Sequence, residues 1–124
     1  MKVLASDFDG TILSKYFFKI KDIFAIKKFQ KNGHLIGLCT GRPLNGVLKY
    51  TKNIILFDFY ILSTGSVILD KEFNVLYESP IHMNTVKSLY EKYHECTHVA
   101  LHINNDFYLN STRILPLLQV GDEL

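Results

Sequence analysis

The sequence predicts an α/β fold in which helices cover a parallel sheet. Over residues 1–63, short apolar runs alternate with segments of helical periodicity in the order strand, helix, strand, helix, strand. This alternation is typical of parallel strands joined by right-handed helical crossovers. After Pro80 the pattern changes to one helix followed by strands that look half exposed. We therefore expect two parts, residues 1–80 and 81–124, the second of α+β type.

The first two elements are predicted to be a buried strand over residues 2–6 and a helix over residues 20–31. KVLAS is short and rich in apolar residues, as buried parallel strands are. Apolar side chains recur along the helical segment, the last two more loosely spaced: Ile20, Ile23, Phe24, Ile26 and Phe29. Asn32-Gly33 then supplies a stop signal at the C-terminal end of the helix.

The next elements are a second strand over residues 34–39, a second helix that opens at Pro43, and a third strand. HLIGLC is a continuous apolar run, and Pro43 suits the first turn of a helix. Residues at i, i+3, i+4 and i+7 follow it: Leu44, Val47, Leu48 and Thr51. The later part of residues 55–63 predicts the third strand, and VILD and NVLYES predict a hairpin around residues 71–73.

The second part is predicted to begin with an amphipathic helix over residues 83–94. Its apolar face carries Val86, Leu89, Tyr90 and Tyr93. THVALHI at 97–103 alternates regularly, which predicts a strand with Val99, Leu101 and Ile103 on one face, and FYLN after the next turn predicts its returning partner.

Composition narrows the class of protein and its partners. Lys and Arg outnumber Asp and Glu by 14 to 12, a net charge of +2, which gives no support to a nucleic-acid partner. No apolar run approaches the length that crosses a bilayer, and charge follows within a few residues of the N-terminus, so we expect neither a membrane span nor a signal peptide. With Cys39 and Cys96 as the only cysteines, we expect a reduced, cytoplasmic protein.

Two loops with complementary chemistry follow the first two predicted strands. DFDGT at 7–11 follows the first, and TGRP at 40–43 follows the second. Because ligands bind beyond the carboxyl ends of parallel strands, we expect both loops to face one crevice. Carboxylates, hydroxyls, open backbone N–H groups and a guanidinium then converge there: Asp7, Asp9, Gly10, Thr11, Thr40, Gly41 and Arg42. Arg42 and the N-terminus of the helix behind it favour an anion.

The aspartate pair suits a magnesium ion and a phosphate ester. Two neighbouring carboxylates repel each other, and Mg²⁺ is usually held by one or two carboxylates together with substrate phosphate. One carboxylate can attack phosphorus to form an aspartyl phosphate. The other can protonate the leaving alkoxide and then activate water. A D-x-D-G stretch alone is often only a turn, so the second loop makes this prediction specific.

These motifs resemble those of a known superfamily. DFDGTIL at 7–13 resembles the first motif of the haloacid dehalogenase superfamily of phosphohydrolases, and GLCTGRP at 37–43 resembles its second motif. Residues 61–81 resemble the segment that leads into the cap of the Cof-type phosphatases, which carry a large α/β cap. The resemblance implies a Rossmann-like core, incomplete in this chain, followed by the beginning of an α+β cap.

The resemblance also implies roles for the residues of the two loops. Asp7 is then the nucleophile and a metal ligand, and Asp9 is the general acid/base, with its backbone carbonyl on Mg²⁺. Thr11 supports the first loop and is grouped with the phosphate-binding residues: Gly10, Thr11, Thr40, Gly41 and Arg42. Thr64 departs from the family, which usually has Asn before the glycine of the third-strand turn.

Two further family motifs, one with a lysine and one acidic, are expected after the cap. The chain stops inside the cap, so we expect a C-terminally truncated hydrolase with weak or absent turnover. Loss of one preorganised charge-stabilising group typically costs about 10²–10³ in turnover. Val120-Gly121-Asp122 resembles the start of the acidic loop, but Pro116 interrupts the run before it, and coincidence is the simpler explanation.

Two functions remain open from the sequence. The first is Mg²⁺-dependent hydrolysis of a small phosphorylated metabolite, and the second is an inactive remnant that binds only phosphate or a protein partner. A receiver-like domain is less supported, because its phosphorylated Asp ends a later strand, where this chain has Ser63-Thr64. Half a cap would leave open strand edges and uncovered apolar surface, so we also expect self-association into a homo-oligomer.

Overall fold

The computed structural model describes residues 1–97, 99–103 and 105–109, with side chains of the last three residues left out. The chain divides into two units, Met1–Ser79 and Pro80–Leu124, and each is described by itself. None of the helices in the described ranges has the length and apolar character needed to cross a membrane.

The first unit contains a five-stranded sheet with two helices. Its elements in chain order are β1 (Val3–Asp7), the short strands β2 (Leu13–Ser14) and β3 (Phe17–Phe18), α1 (Ile20–Lys31), β4 (Leu35–Cys39), α2 (Leu44–Thr51), β5 (Phe59–Leu62), β6 (Val67–Asp70) and β7 (Val75–Glu78). The strand order is β1-β4-β5-β6-β7. Strands β1, β4 and β5 are parallel, and β6 and β7 extend the sheet as an antiparallel hairpin. The predicted α/β fold is confirmed.

The register aligns the carboxyl ends of the three parallel strands. Asp7 of β1 lies opposite Cys39 of β4, and Cys39 lies opposite Ile61 of β5. The segments that follow these strands therefore leave the sheet at the same edge. This alignment places the two predicted loops, 7–11 and 40–43, next to each other.

Helix α2 packs as its periodicity predicts, but α1 does so only in part. Leu44, Val47 and Thr51 of α2 are buried. In α1, Ile26 is buried and Ile23 and Phe29 pack partly against the core, whereas Ile20 and Phe24 are each 69% exposed. The buried stripe is spaced by three residues, and Phe24 lies about 100° round the helix from Ile23. The helix predicted over residues 20–31 is present, but only part of its apolar set faces the core.

The first strand also differs from its prediction. Val3 and Leu4 lie in the segment predicted to be a buried strand, yet they are 61% and 47% exposed. Within the described ranges, β1 pairs along one edge only, with β4. An edge position leaves both faces of the strand partly uncovered, which a single apolar run cannot reveal.

Gly37 of β4 leaves room for an aromatic ring of β5 because it has no side chain. Gly37 lies opposite Phe59, and a Cβ added to Gly37 would overlap the Phe59 ring. The Phe59 ring thus occupies the space above Gly37. This contact explains a glycine inside an otherwise apolar strand.

Over its described residues, the second unit has a helix and a hairpin. It contains α3 (Met83–Tyr93), β8 (Ala100–Ile103) and the antiparallel β9 (Asp106–Leu109). Tyr90 is buried and packs against partly buried apolar side chains: Met83, Val86, Val99 and Leu101. The alternation predicted for residues 99–103 is confirmed, since odd positions are half-buried and even positions exposed. Pro116 and the acidic-loop resemblance at 120–122 lie outside the described residues.

Candidate active site

Three segments meet at the carboxyl edge of the sheet. They follow β1 (residues 8–12), β4 (residues 40–43) and β5 (residues 63–66). Backbone hydrogen bonds join the last two, because Thr64 N donates to Thr40 O at 3.2 Å and Ser63 N donates to Arg42 O at 3.0 Å. The third segment thus fixes the position of the second.

The first segment turns sharply around a buried aromatic ring. Phe8 is fully buried, whereas Asp7 and Asp9 on either side of it are exposed. The N–H groups of Thr11 and Leu13 both donate to the Phe8 carbonyl, at 3.3 and 2.9 Å. Gly10 has φ +78, a left-handed conformation that glycine adopts without strain. Anchoring Phe8 in the core therefore presents both carboxylates to solvent.

Asp7 is held from within its own loop. The Thr11 hydroxyl donates to Asp7 Oδ2 at 2.7 Å. This bond orients the carboxylate, and no further partner for its second oxygen is seen among the described residues. The supporting role that the resemblance implies for Thr11 stays a prediction.

Asp9 is paired with Arg42 across the two loops. Arg42 Nε donates to Asp9 Oδ2 at 2.8 Å, and Nη2 donates to Oδ1 at 2.7 Å, a bidentate arrangement. These hydrogen bonds raise the pKa of Arg42 above its usual value, more than burial lowers it. Because the side chains remain 32% and 49% exposed, water screens much of this attraction.

The guanidinium of Arg42 is itself fixed by several neighbours. Its Nη1 donates to the Gly46 carbonyl in α2 at 3.2 Å. Its central carbon lies 5.7 Å from the centre of the Phe8 ring and 5.1 Å from that of Tyr50. The structure thus directs Arg42 to Asp9, whereas its predicted contact with phosphate stays a prediction.

Thr40 and Gly41 lie between Arg42 and the third segment. The Thr40 hydroxyl accepts a hydrogen bond from Arg42 N at 3.2 Å, which leaves its own hydrogen for another acceptor. A Cβ added to Gly41 would meet Thr64 Oγ1 at 3.5 Å, so Gly41 faces the third segment. The predicted residues of both loops, 7–11 and 40–43, therefore lie at this edge of the sheet.

The third segment carries strain that the sequence does not reveal. Ser63, Thr64 and Gly65 have φ values of 48, 59 and 91. A left-handed conformation costs a residue with a Cβ roughly 1–2 kcal/mol, and it is unusual for a β-branched residue. The turn at residues 64–66 could be predicted from its composition, but its handedness could not.

Sequence reasoning also missed the hairpin formed by β2 and β3. Its two connecting residues are Lys15 and Tyr16, with φ 57 at Lys15. Two-residue hairpins are usually signalled by Asn-Gly or Asp-Gly, and the Lys15-Tyr16 turn has neither. Tyr16 and Phe17 are 79% and 59% exposed, so the hairpin presents aromatic surface after the first loop.

The donor set fits a divalent cation in part. Asp7 offers a carboxylate, but both carboxylate oxygens of Asp9 are engaged by Arg42. The resemblance assigns the backbone carbonyl of Asp9, not its side chain, to the metal, and the ion pair is compatible with that role. In the described ranges, no three His, Cys, Asp or Glu side chains cluster as a metal centre would require.

Comparison with known proteins identifies the family. A family model described as haloacid dehalogenase-like hydrolase matches residues 4–120. An uncharacterized protein of Mycoplasma capricolum is 38% identical over 87 residues, which are 64% of this chain and 32% of that protein. The 5-amino-6-(5-phospho-D-ribitylamino)uracil phosphatase YcsE of Bacillus subtilis is 26% identical over 92 residues, 73% of this chain and 37% of that protein.

A solved structure shows the same fold over the chain. A haloacid dehalogenase-like hydrolase from Bacillus subtilis matches with a TM-score of 0.80 at 21% identity, covering 99% of this chain and 46% of that one. This chain therefore spans less than half the length of the proteins it resembles. On the match over residues 4–120, the chain belongs to the family of haloacid dehalogenase-like hydrolases.

Proposed function

We propose that this chain carries the nucleophile and the acid/base of a phosphomonoester hydrolase that acts on a small phosphorylated metabolite. The observation that carries the proposal is the register of β1 and β4. Asp7 pairs with Cys39, so Asp7 and Thr40 stand at the same ends of neighbouring strands. The Asp9–Arg42 pair then links the two loops. By its name, the relative YcsE is a phosphatase with a phosphorylated substrate, which supports the same reaction class here.

The first step transfers the phosphoryl group to Asp7. The Asp7 oxygen that Thr11 leaves open attacks phosphorus, and the bond from phosphorus to the ester oxygen breaks. Asp9 gives its proton to the departing alkoxide. The products are an aspartyl phosphate at residue 7 and a free alcohol.

The second step releases phosphate. Asp9, now a carboxylate, takes a proton from water, and the water oxygen attacks phosphorus. The bond between phosphorus and the Asp7 oxygen breaks, which restores the carboxylate and frees inorganic phosphate. Asp9 is again protonated for the next cycle.

One of the two hydrogen bonds from Arg42 to Asp9 must open for this cycle to run, while the other keeps the carboxyl group oriented. Both Asp9 oxygens accept hydrogen bonds from Arg42, so in this arrangement neither can face the ester oxygen of a substrate. Asp9 can carry the proton for the first step only when one of its oxygens leaves Arg42. The exposed side of the pair gives it room to open.

Phosphoryl binding is assigned to the second loop. Thr40 has a hydroxyl hydrogen to donate, and the backbone of Gly41 is unobstructed by a side chain. Gly10 provides the same access from the first loop, because nothing lies within 4 Å of a Cβ placed there. These groups donate to the phosphoryl oxygens and hold them in line with Asp7.

We assign a magnesium ion to this site, held by Asp7 and the backbone carbonyl of Asp9. When bound, Mg²⁺ neutralises charge on the attacking carboxylate and the phosphoryl oxygens.

Free thiols at Cys39 and Cys96 support a reducing, cytoplasmic location. Neither a nucleic acid nor a membrane is needed as a partner.

A single-turnover assay tests the assignment. The chain is mixed in excess with p-nitrophenyl phosphate and MgCl₂, and released p-nitrophenol is followed for the wild type and Asp7→Asn. Asp22→Asn, in the first turn of α1, is the matched control, since it also removes one carboxylate. We expect slow product release that Asp7→Asn reduces at least about 10³-fold and that Asp22→Asn leaves unchanged.

The outcomes separate the claims. Product release at equal rates in the wild type and Asp7→Asn would contradict the catalytic assignment and favour a phosphate-binding or protein-binding module, which no observation favours now. Turnover in the range of ordinary enzymes, about 1–10³ s⁻¹, would keep Asp7 as the nucleophile but overturn the expected impairment.

A further inference from the structure

A groove in the first unit lies at the opposite edge of the sheet from the candidate active site. Its volume is ≈ 700 Å³, and it is formed by residues of α1 and α2, the loop before β5, and the turn after β6. Strand β5 runs parallel to β1 and β4, so its first residue, Phe59, lies at the edge away from Asp7. Phe59 pairs with Asp70, which puts the turn after β6 at that same far edge. The groove is therefore separate from the catalytic loops.

The floor of the groove is apolar. Ile55 and Tyr60 are buried beneath it, and Leu48 packs beside them. Three large apolar side chains around the floor stay open to solvent: Ile54 at 42%, Leu56 at 56% and Phe73 at 37% exposure. A contiguous exposed apolar patch of this kind marks a binding surface more often than an inert one.

The loop that forms one wall is held by several hydrogen bonds. Leu56 O accepts from Gln30 Nε2 at 2.9 Å, and the N–H groups of Ile54 and Ile55 donate to Thr51 O at 2.9 and 3.1 Å. The Tyr60 hydroxyl accepts from Phe57 N at 3.2 Å. The wall is thus preformed, which lowers the entropy lost when a ligand binds.

The charged side chains that line the groove are all positive. Lys27, Lys49 and Lys52 line it and are exposed, and no lining residue is acidic. Lys49 also lies over the Tyr50 ring at 5.6 Å and borders a second, smaller cavity. Lys27 and Lys52 are therefore the cations that belong to this groove alone.

We propose that this groove binds a small amphipathic organic anion, with its apolar body on the floor and its single anionic head at Lys27 and Lys52. The volume lies within the roughly 300–1,000 Å³ typical of small-molecule pockets. Cations without acidic neighbours select an anionic head, and the apolar floor selects a hydrocarbon body. This site goes beyond the phosphatase proposal, since none of its residues belongs to the catalytic loops.

The test compares two probes with the same hydrocarbon body. Octanoate carries a carboxylate, and octan-1-ol carries a neutral hydroxyl. Each is titrated into ¹⁵N-labelled protein while amide shifts are followed. We expect octanoate to shift the amides of Asn53, Leu56 and Phe73 and to bind about three- to tenfold more tightly than octan-1-ol.

Two charge-matched double variants locate the head group. Lys27→Gln with Lys52→Gln should bring the octanoate affinity down to that of octan-1-ol. Lys28→Gln with Lys31→Gln removes the same charge from α1 outside the groove and should leave the difference intact. All four lysines are exposed, so the variants are expected to fold.

Several results would overturn the proposal. These are equal affinity for the two probes, no binding of either, an unchanged octanoate affinity in the Lys27/Lys52 variant, or shifts centred on Val3 and Leu4 of β1.

Discussion

At the scale of single residues, Arg42 connects the parts of the candidate site. It donates two hydrogen bonds to Asp9, one to the Gly46 carbonyl, and stacks near two aromatic rings. The TGRP motif could be read from the sequence, and so could an arginine near the crevice. Its partner could not, because Asp9 and Arg42 are 33 positions apart and only the β1–β4 register brings them together.

We predict that Arg42→Met lowers turnover more than it lowers stability. Met keeps an apolar stem against Phe8 and Tyr50 but cannot orient the Asp9 carboxylate. Because the ion pair is partly exposed, the free energy of unfolding should fall by only about 0.2–1 kcal/mol. The single-turnover rate should fall about tenfold or more, because Asp9 would no longer be oriented as the general acid/base. Urea denaturation measures the change in stability, and the single-turnover assay measures the change in rate. An unchanged rate in Arg42→Met would refute the prediction.

We predict that Thr64→Asn stabilises the protein. Thr64 has φ 59, and Asn tolerates this left-handed region better than a β-branched residue does. The family that the motifs resemble usually has Asn before this glycine. The free energy of unfolding should rise by about 0.5–1 kcal/mol. Thr64→Val is the matched control, because it keeps the β-branch and should not stabilise the protein. An equal rise in the free energy of unfolding for Thr64→Val and Thr64→Asn would refute the explanation.

At the scale of elements, amphipathic periodicity located the helices well and their buried faces less well. Helix α2 buries the residues that its spacing predicts, but α1 leaves Ile20 and Phe24 exposed. Apolar runs located β4 and β5 but could not show that β1 lies at an edge, where Val3 and Leu4 stay exposed. The β2–β3 hairpin was not predicted from the sequence, because its turn lacks the usual glycine or asparagine.

Replacing two glycines of neighbouring elements with alanine should change the stability of the protein in opposite directions. In β4, a Cβ at Gly37 would overlap the Phe59 ring, so Gly37→Ala should destabilise by about 1–3 kcal/mol. In α2, a Cβ at Gly46 would make only ordinary contacts at 3.5 Å, so Gly46→Ala should stabilise by about 0.5–1 kcal/mol. Urea denaturation gives both values, and the same sign for both variants would contradict the packing described for Gly37.

At the scale of the whole molecule, the chain shares its fold with proteins about twice its length. Strand β1 presents an edge and exposes Val3 and Leu4, which are surfaces that favour association. We predict that the chain self-associates and that Val3→Lys with Leu4→Glu makes it monomeric. Sedimentation velocity tests this, with Ile20→Lys and Phe24→Glu on α1 as the control pair. A monomeric wild type would contradict the prediction.

The central claim is that Asp7 accepts the phosphoryl group, and trapping the intermediate tests it most directly. The chain is incubated with p-nitrophenyl phosphate and MgCl₂, treated with sodium borohydride, and analysed by tandem mass spectrometry. Borohydride reduces an aspartyl phosphate to homoserine, so the account predicts homoserine at residue 7 and none at residue 9. Homoserine at residue 9, or product release without modification of residue 7, would contradict it.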